Sequence, residues 1–334
     1  MHPEPRHVVD LLVPHHHPAA DMAAAFAPAN IALCKYWGKR NEKLKLPLTG
    51  SLSVSLGTLG TRMRIEITDR DRLCINGEEQ DPEGKAFRRL FEFMDLFRNP
   101  GTGFSIESEN TIPMGAGLAS SASAFAAAVC ALDKLYGWNL DLRQQSILAR
   151  MGSGSASRSL SPGFVEWFAG EREDGMDSYA EALEWVWPGF RVGILTLSRA
   201  EKSVSSGAGM RRTMENSVLY NAWPRQVAQD LPRIRQAIQE KDFSLLGTTA
   251  EQNAMAMHAT MIAAWPPLIY WLPESVGTLQ KIQSLREDGC EVYATMDAGP
   301  NVKLLFTRDT ESQVQKHFPD IQIVKPFAED GPES

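Results

Sequence analysis

Cysteine is scarce in this chain of 334 residues, and the four present, Cys34, Cys74, Cys130 and Cys290, lie far apart with no C-x-x-C pair among them. That scatter gives no sign of an oxidising compartment, and the four read as reduced core thiols of a cytoplasmic protein. The first two dozen residues carry no secretory pattern, and no run approaches the ~20 apolar residues that span a bilayer. Positive charge is also in deficit. With 34 Lys and Arg against 41 Asp and Glu, the formal net charge is −7. This excludes a general binder of nucleic acid or of acidic membrane, so an anionic ligand must be met by a local cluster of basic side chains. No internal repeat is evident.

What is present suits a globular enzyme: 43% of residues are hydrophobic and 22% charged. The length exceeds what one core usually organises and predicts two domains or one large two-part fold. The chain is organised around Glu109 to Tyr136, ENTIPMGAGLASSASAFAAAVCALDKLY. Gly115, Ala116, Gly117, Leu118 and Ala119 form a small-residue loop that feeds an Ala-rich helix. Such a loop lets backbone N–H groups approach an anion, and the helix start adds its positive dipole end. Ser120 and Ser121 at the entry can cap the helix, donate to phosphate oxygens or hold a magnesium ion. No Gly-Lys-Ser/Thr follows at P-loop spacing.

Residues 1–24, rich in Pro and His, read as a disordered extension, with His15, His16 and His17 able to bind metal only adventitiously. Order is expected from about Ala25. FAPANIALC starts like a buried strand and runs into the basic cluster Lys35, Tyr36, Trp37, Lys39, Arg40. SLSVSL and TRMRIEIT alternate as successive antiparallel strands, and Asn76-Gly77 signals a hairpin turn. Residues 83–98 have helical spacing, and GFSIESE is strand-like. Gly152 to Ser159 is a second small-residue segment, in which hydroxyls stand beside the planar fork of Arg158, suited to carboxylate or phosphate. PGFRVGILTLS opens a second half. Helical patterns then fill 213–264 and 274–288, two strands flank a turn at Asp297-Ala298-Gly299-Pro300-Asn301, and 327–334 reads as a frayed tail.

PANIALCKYWGKR, PMGAGLASSASAF, GSGSASRSL with GFVEW, SVSSGAGM, MHAT with PPLIY, and TMDAGPN occur in this order. Together, over Phe26 to Phe306, they resemble the diphosphomevalonate decarboxylase family of the GHMP kinase superfamily. The resemblance implies an α+β, two-lobed GHMP-kinase-like fold: a mixed-sheet N-terminal domain over 25–188 carrying the phosphate loop, and a C-terminal α/β-sandwich-like domain over 189–326. It implies conversion of ATP and mevalonate 5-diphosphate to ADP, phosphate, CO2 and isopentenyl diphosphate, with Mg2+, in a cytoplasmic homodimer that binds neither nucleic acid nor membrane.

By the same resemblance Asp297 orients the substrate's C3 hydroxyl and takes its proton, Lys35 stabilises charge beside it, and Arg158 grips the substrate carboxylate. Tyr36, Lys39, Ser153, Ser155, Lys202 and Ser206 match or neighbour positions that hold the diphosphate. Gly115 to Ser121 match the ATP-phosphate loop, with Ser120 or Ser121 toward phosphate and Ser121 assigned to Mg2+. The loop departs from the family pattern at Met114-Gly115, the substrate pocket at Thr49, Gly50, Ser157 and Gly207. Two alternatives share the scaffold. One is a phosphomevalonate decarboxylase or mevalonate 3-kinase; the other, of a different class, is a non-catalytic sensor.

Overall fold

The structure is a computed structural model that describes residues 4–111, 120–200 and 202–328, with the Ser120 side chain outside that set. Its spine is one strand of 18 residues, Ser51–Thr68, where the sequence pattern suggested two. Gly57, at φ +60°, lets the chain bend without ending the strand. At Gly60 a Cβ would come within 2.1 Å of the Ala27 carbonyl oxygen, so only glycine allows the neighbouring strand, Met22–Cys34, to pair beside it. That pairing is antiparallel from Met22 opposite Glu66 to Cys34 opposite Leu52, with an irregularity between Pro28 and Asn30. The spine also pairs with Gly103–Asn110 and Phe164–Trp167, and the sheet has seven strands. Asn76 and Gly77, both at positive φ, make the expected tight turn between Arg72–Ile75 and Glu78–Glu79.

The Ala-rich helix Ser120–Tyr136 packs across the strands Met22–Cys34 and Ser51–Thr68. Its small side chains let it lie close, and Ala126, Ala127, Ala128 and Ala131 are fully buried. After it comes the helix Leu142–Gly152, opened by a capping box in which Asp141 accepts from the Gln144 N–H at 2.7 Å and the Gln144 side chain returns the bond.

The second sheet is four-stranded and antiparallel, in the order Val292–Met296, Val302–Thr307, Phe190–Leu195, Gln322–Val324. The helices Trp223–Glu240 and Phe243–Ile262 pack on each other, and the latter lies on Val292–Met296. Ile31, Leu33, Leu52 and Val54 from the first lobe share one buried cluster with Val192, Leu246, Leu304 and Phe306 from the second. A separate cluster surrounds Ser120–Tyr136. Together these elements form a two-lobed α+β architecture.

Two terminal expectations are corrected. Residues 5–12 form a helix whose Val8, Val9 and Leu12 are buried. The run of histidines is docked through hydrogen bonds, Trp138 Nε1 donating to the His15 carbonyl at 2.7 Å and Asn99 Nδ2 to that of His16 at 2.9 Å. An apolar stripe of three residues is enough when it has a surface to dock on. At the other end Phe327 is buried, its ring 4.9 Å from that of Phe164, rather than frayed.

Candidate active site

Lys35 follows directly on the last paired residue of its strand. Its Nζ donates to the Ala32 carbonyl at 2.7 Å and to Asp297 Oδ1 at 2.9 Å. Asp297 comes from the other lobe, in the turn after Val292–Met296. That turn is fixed from several sides. Ser275 Oγ donates to the Pro300 carbonyl at 2.7 Å, Asn301 Oδ1 accepts the N–H groups of Leu197 and Ser198, and His258 Nε2 lies 3.1 Å from the Asp297 carbonyl oxygen.

Lys303 Nζ stands 3.7 Å from Asp297 Oδ2. The Asp297 side chain is 28% exposed while those of Lys35 and Lys303 are 2% and 1%, so the cations lie behind the carboxylate and leave it a free face. Burial alone would push the Asp297 carboxyl up, but Lys35, then Lys303 and Lys202, outweigh it and hold the group well below the ordinary carboxylate range. Burial in turn lowers Lys35 and brings Lys303 down to about 8, against the pull of Asp297.

Arg158 ends the short helical turn Gly154–Arg158. It is 2% exposed; Nη1 donates to Ser51 Oγ, and the guanidinium sits 5.7 Å from the Trp167 ring centroid. Among the described residues its Nε has no partner, nor has the Tyr36 hydroxyl. A buried donor left unpaired costs ~1–3 kcal/mol. Burial also pushes Arg158 down to about 10, still charged at neutral pH.

Lys35, Tyr36, Lys39, Ser153, Ser155, Arg158, Ser206, Asp297 and Ser121 all line one cavity of about 240 Å³. Ser153 Oγ lies 3.3 Å from Ser155 Oγ and 3.4 Å from Ser121 Oγ. Lys39 pairs with Glu42 at 2.7 Å. Lys202 is not on the wall but reaches Ser206 Oγ at 3.4 Å. The helices Ser120–Tyr136 and Ser206–Asn216 both begin at this cavity, so two positive helix ends meet there. The loop residues Gly115, Ala116, Gly117, Leu118 and Ala119 lie outside the described residues.

The sequence reading missed Lys45 and Arg89, which line the same cavity. Lys45 donates to the Met151 carbonyl, and burial brings it down to about 8. Arg89, on the helix Lys85–Met94, lies 5.1 Å over the Phe125 ring. With them the described wall carries five cationic side chains and the single carboxylate of Asp297. An apolar slot beside Ser121, walled by Met63, Leu73, Ile75, Leu90 and Phe125, opens next to Arg89. Among the described residues no group of three His, Cys, Asp or Glu could hold a metal. A magnesium ion here would therefore be held by ligand phosphates with hydroxyl or water, the way this ion usually binds.

Residues 27–180 match the family described as "Diphosphomevalonate decarboxylase-like N-terminal domain", and residues 192–329 the "Mevalonate 5-diphosphate decarboxylase C-terminal domain". The diphosphomevalonate decarboxylase of Gibberella zeae is 37% identical over 92% of this chain and 87% of its own length; that of Rattus norvegicus is 35% identical over 89% and 80%. The crystal structure of mevalonate diphosphate decarboxylase from Staphylococcus aureus superposes with a TM-score of 0.85 at 37% identity, covering 91% of this chain and 95% of that one. A structure described as "MDDEF in complex with MVAPP, AMPPCP and Magnesium" gives 0.85 at 36% identity over 91% and 96%.

Proposed function

The chain belongs to the diphosphomevalonate decarboxylase family, and from that premise we propose that it converts ATP and mevalonate 5-diphosphate to ADP, phosphate, CO2 and isopentenyl diphosphate, with Mg2+ as cofactor. The observation that carries this reading is Asp297, backed by Lys35 and Lys303 and open toward a cation-lined cavity that also holds the underpaired guanidinium of Arg158.

A 3-hydroxy acid has no electron sink for decarboxylation, so its tertiary hydroxyl must first become a leaving group. Asp297 accepts a hydrogen bond from that hydroxyl and aims it at the γ-phosphorus of ATP. With its pKa held so low it is a weak base. That is sufficient in a loose phosphoryl transfer, where the oxygen turns acidic only as its bond to phosphorus forms, and the proton then passes to Asp297 late. Departure of the C3 phosphate builds positive charge at C3. The electron pair of the bond to the carboxyl carbon becomes the alkene, and CO2 leaves. Arg158 holds the substrate carboxylate, and Lys35 stabilises charge at the transfer centre.

Tyr36, Lys39, Ser153, Ser155 and Ser206, with Lys202 behind, hold the 5-diphosphate. Ser121, Lys45 and Arg89 face the ATP phosphates, and the neighbouring apolar slot takes the base. Ser121 would offer magnesium a hydroxyl ligand, and the ion would neutralise the charge of the phosphates. We place the lobe boundary near Pro188, between the strands Ala180–Ala182 and Phe190–Leu195. A cytoplasmic homodimer fits the four free cysteines and the exposed Trp265 and Ile269.

The test is Asp297→Asn. Trapped CO2 from mevalonate 5-diphosphate should fall by ~10²-fold or more while ATP binding persists. Unchanged release would overturn the assignment of Asp297.

A further inference from the structure

A buried carboxylate takes no part in the mechanism above. Asp230, on the helix Trp223–Glu240, is fully buried, and no cation among the described residues pairs with it. Its oxygens accept from Gln226 Nε2 at 2.8 and 3.0 Å and from Asn253 Nδ2 at 2.9 Å. A carboxylate held this deep by amides alone is expensive compared with an apolar side chain of similar size. Asn253, mid-way along Phe243–Ile262, is also fully buried. Its Oδ1 accepts the main-chain N–H of Lys35 at 2.8 Å.

The chemistry of the chain of contacts leaves one arrangement. The main-chain N–H of Lys35 can only donate, so the Asn253 amide turns its oxygen toward Lys35 and its NH2 toward the Asp230 oxygens. The neighbouring Cys34 thiol, raised by burial and by Asp230, stays protonated and adds only a long contact of 3.8 Å to Asn253 Nδ2. The Lys35 N–H lies just past the end of the strand ladder, where without Asn253 it would be a buried donor with no acceptor. Lys35 belongs to the first lobe; Asp230, Asn253 and Asp297 belong to the second.

We propose that Asp230 and Asn253 are positioning residues for the decarboxylation: Asp230 fixes the orientation of the Asn253 amide, Asn253 clamps the backbone of Lys35, and the clamp sets the contact of Lys35 with Asp297 across the lobes. This rests on the function proposed above. A purely structural brace would set stability and leave the chemical step alone; a positioning brace sets kcat.

The experiment compares the full-length wild type with Asn253→Ala, Asn253→Asp and the exchange Asp230→Asn/Asn253→Asp, measuring CO2 release, Tm and hydrogen exchange of the Lys35 amide. Asn253→Ala should lower kcat on the order of 10²-fold, the scale of a small misplacement at a reacting centre, with KM for mevalonate 5-diphosphate within about twofold, the mark of an interaction that acts in the transition state. Asn253→Asp sets two carboxylates face to face and should lose as much. The exchange restores one donor and one acceptor between the two positions, with a carboxylate oxygen still facing the Lys35 N–H, and should recover kcat to within about fivefold, together with protection of the Lys35 amide. Single variants that lose Tm but keep kcat, or an exchange that recovers Tm without kcat, overturn the proposal. Should the wild type itself release no CO2, the function reading fails on its own; the clamp is then decided by amide exchange, and an unprotected Lys35 amide in the wild type or full protection in Asn253→Ala overturns it.

Discussion

His258 shows how the site disciplines a titratable side chain. It is buried under Asp297, and burial, then the charge of Lys35, bring it from 6.5 down to about 4 in spite of its bond to the Asp297 carbonyl. A depressed pKa means that the unfolded chain takes up this proton first as pH falls. The stability is therefore fully present above about pH 6.5 and lost progressively down to about pH 4, a loss of about 3 kcal/mol. Asn, Gln or any neutral ring at this position would not titrate, so in urea unfolding His258→Gln should show a flatter pH dependence between 6.5 and 4 than the wild type. Parallel curves would mean that His258 is already charged in the fold. At this scale the sequence was informative where a residue sat in a composed segment. Lys35, Arg158, Ser153, Ser155, Ser206 and Asp297 each stand in one, and the fold brings them to one cavity. Lys45 and Arg89 were not legible, because a lone Lys between the short paired strands Lys39–Asn41 and Leu46–Pro47 and an Arg on a helical face look like solvated charges until the fold sets them beside Met151 and Phe125. Asp230 and Asn253 were hidden for a similar reason, since a polar residue inside a helical pattern does not reveal that it is buried against another helix or, for Asn253, that it meets a residue of the other lobe.

Among the elements, periodicity announced the strands Val292–Met296 and Val302–Thr307 and the turn at Asn76-Gly77, whose backbone demands are local. It divided Ser51–Thr68 in two at the segment holding Gly57 and Gly60, which in the fold make a bend and a close approach to Ala27. It missed the helix Pro5–Leu12, which is stabilised by docking rather than by its own length. Docking also decides how Phe243–Ile262 meets its sheet. A Cβ at Gly247 would lie 1.9 Å from the Tyr293 ring, which is itself buried. Gly247→Ala gains helix propensity, yet it must push the ring or the helix away, so the net effect should be a loss of about 1–3 kcal/mol in chemical denaturation. An increase in stability would show that the contact is loose.

At the scale of the whole molecule, an acidic chain with net charge −7 concentrates, among the described residues, five cations around one carboxylate at the meeting of its lobes. The two lobes are joined by a common apolar cluster, which keeps Lys35 and Asp297 in register although 262 residues separate them in sequence. This arrangement explains how phosphorylation and decarboxylation share one site: the same cleft must hold a diphosphate, a nucleotide and a carboxylate, and release carbon dioxide only after the C3 oxygen carries phosphate. Mevalonate, its 5-phosphate and its 5-diphosphate, each supplied with ATP and magnesium while ADP and trapped CO2 are followed together, put that account to its most direct test. ADP and CO2 should appear in equal amounts, with the 5-diphosphate strongly preferred; ADP without CO2, a preference for the monophosphate, or no turnover of any of the three would contradict it.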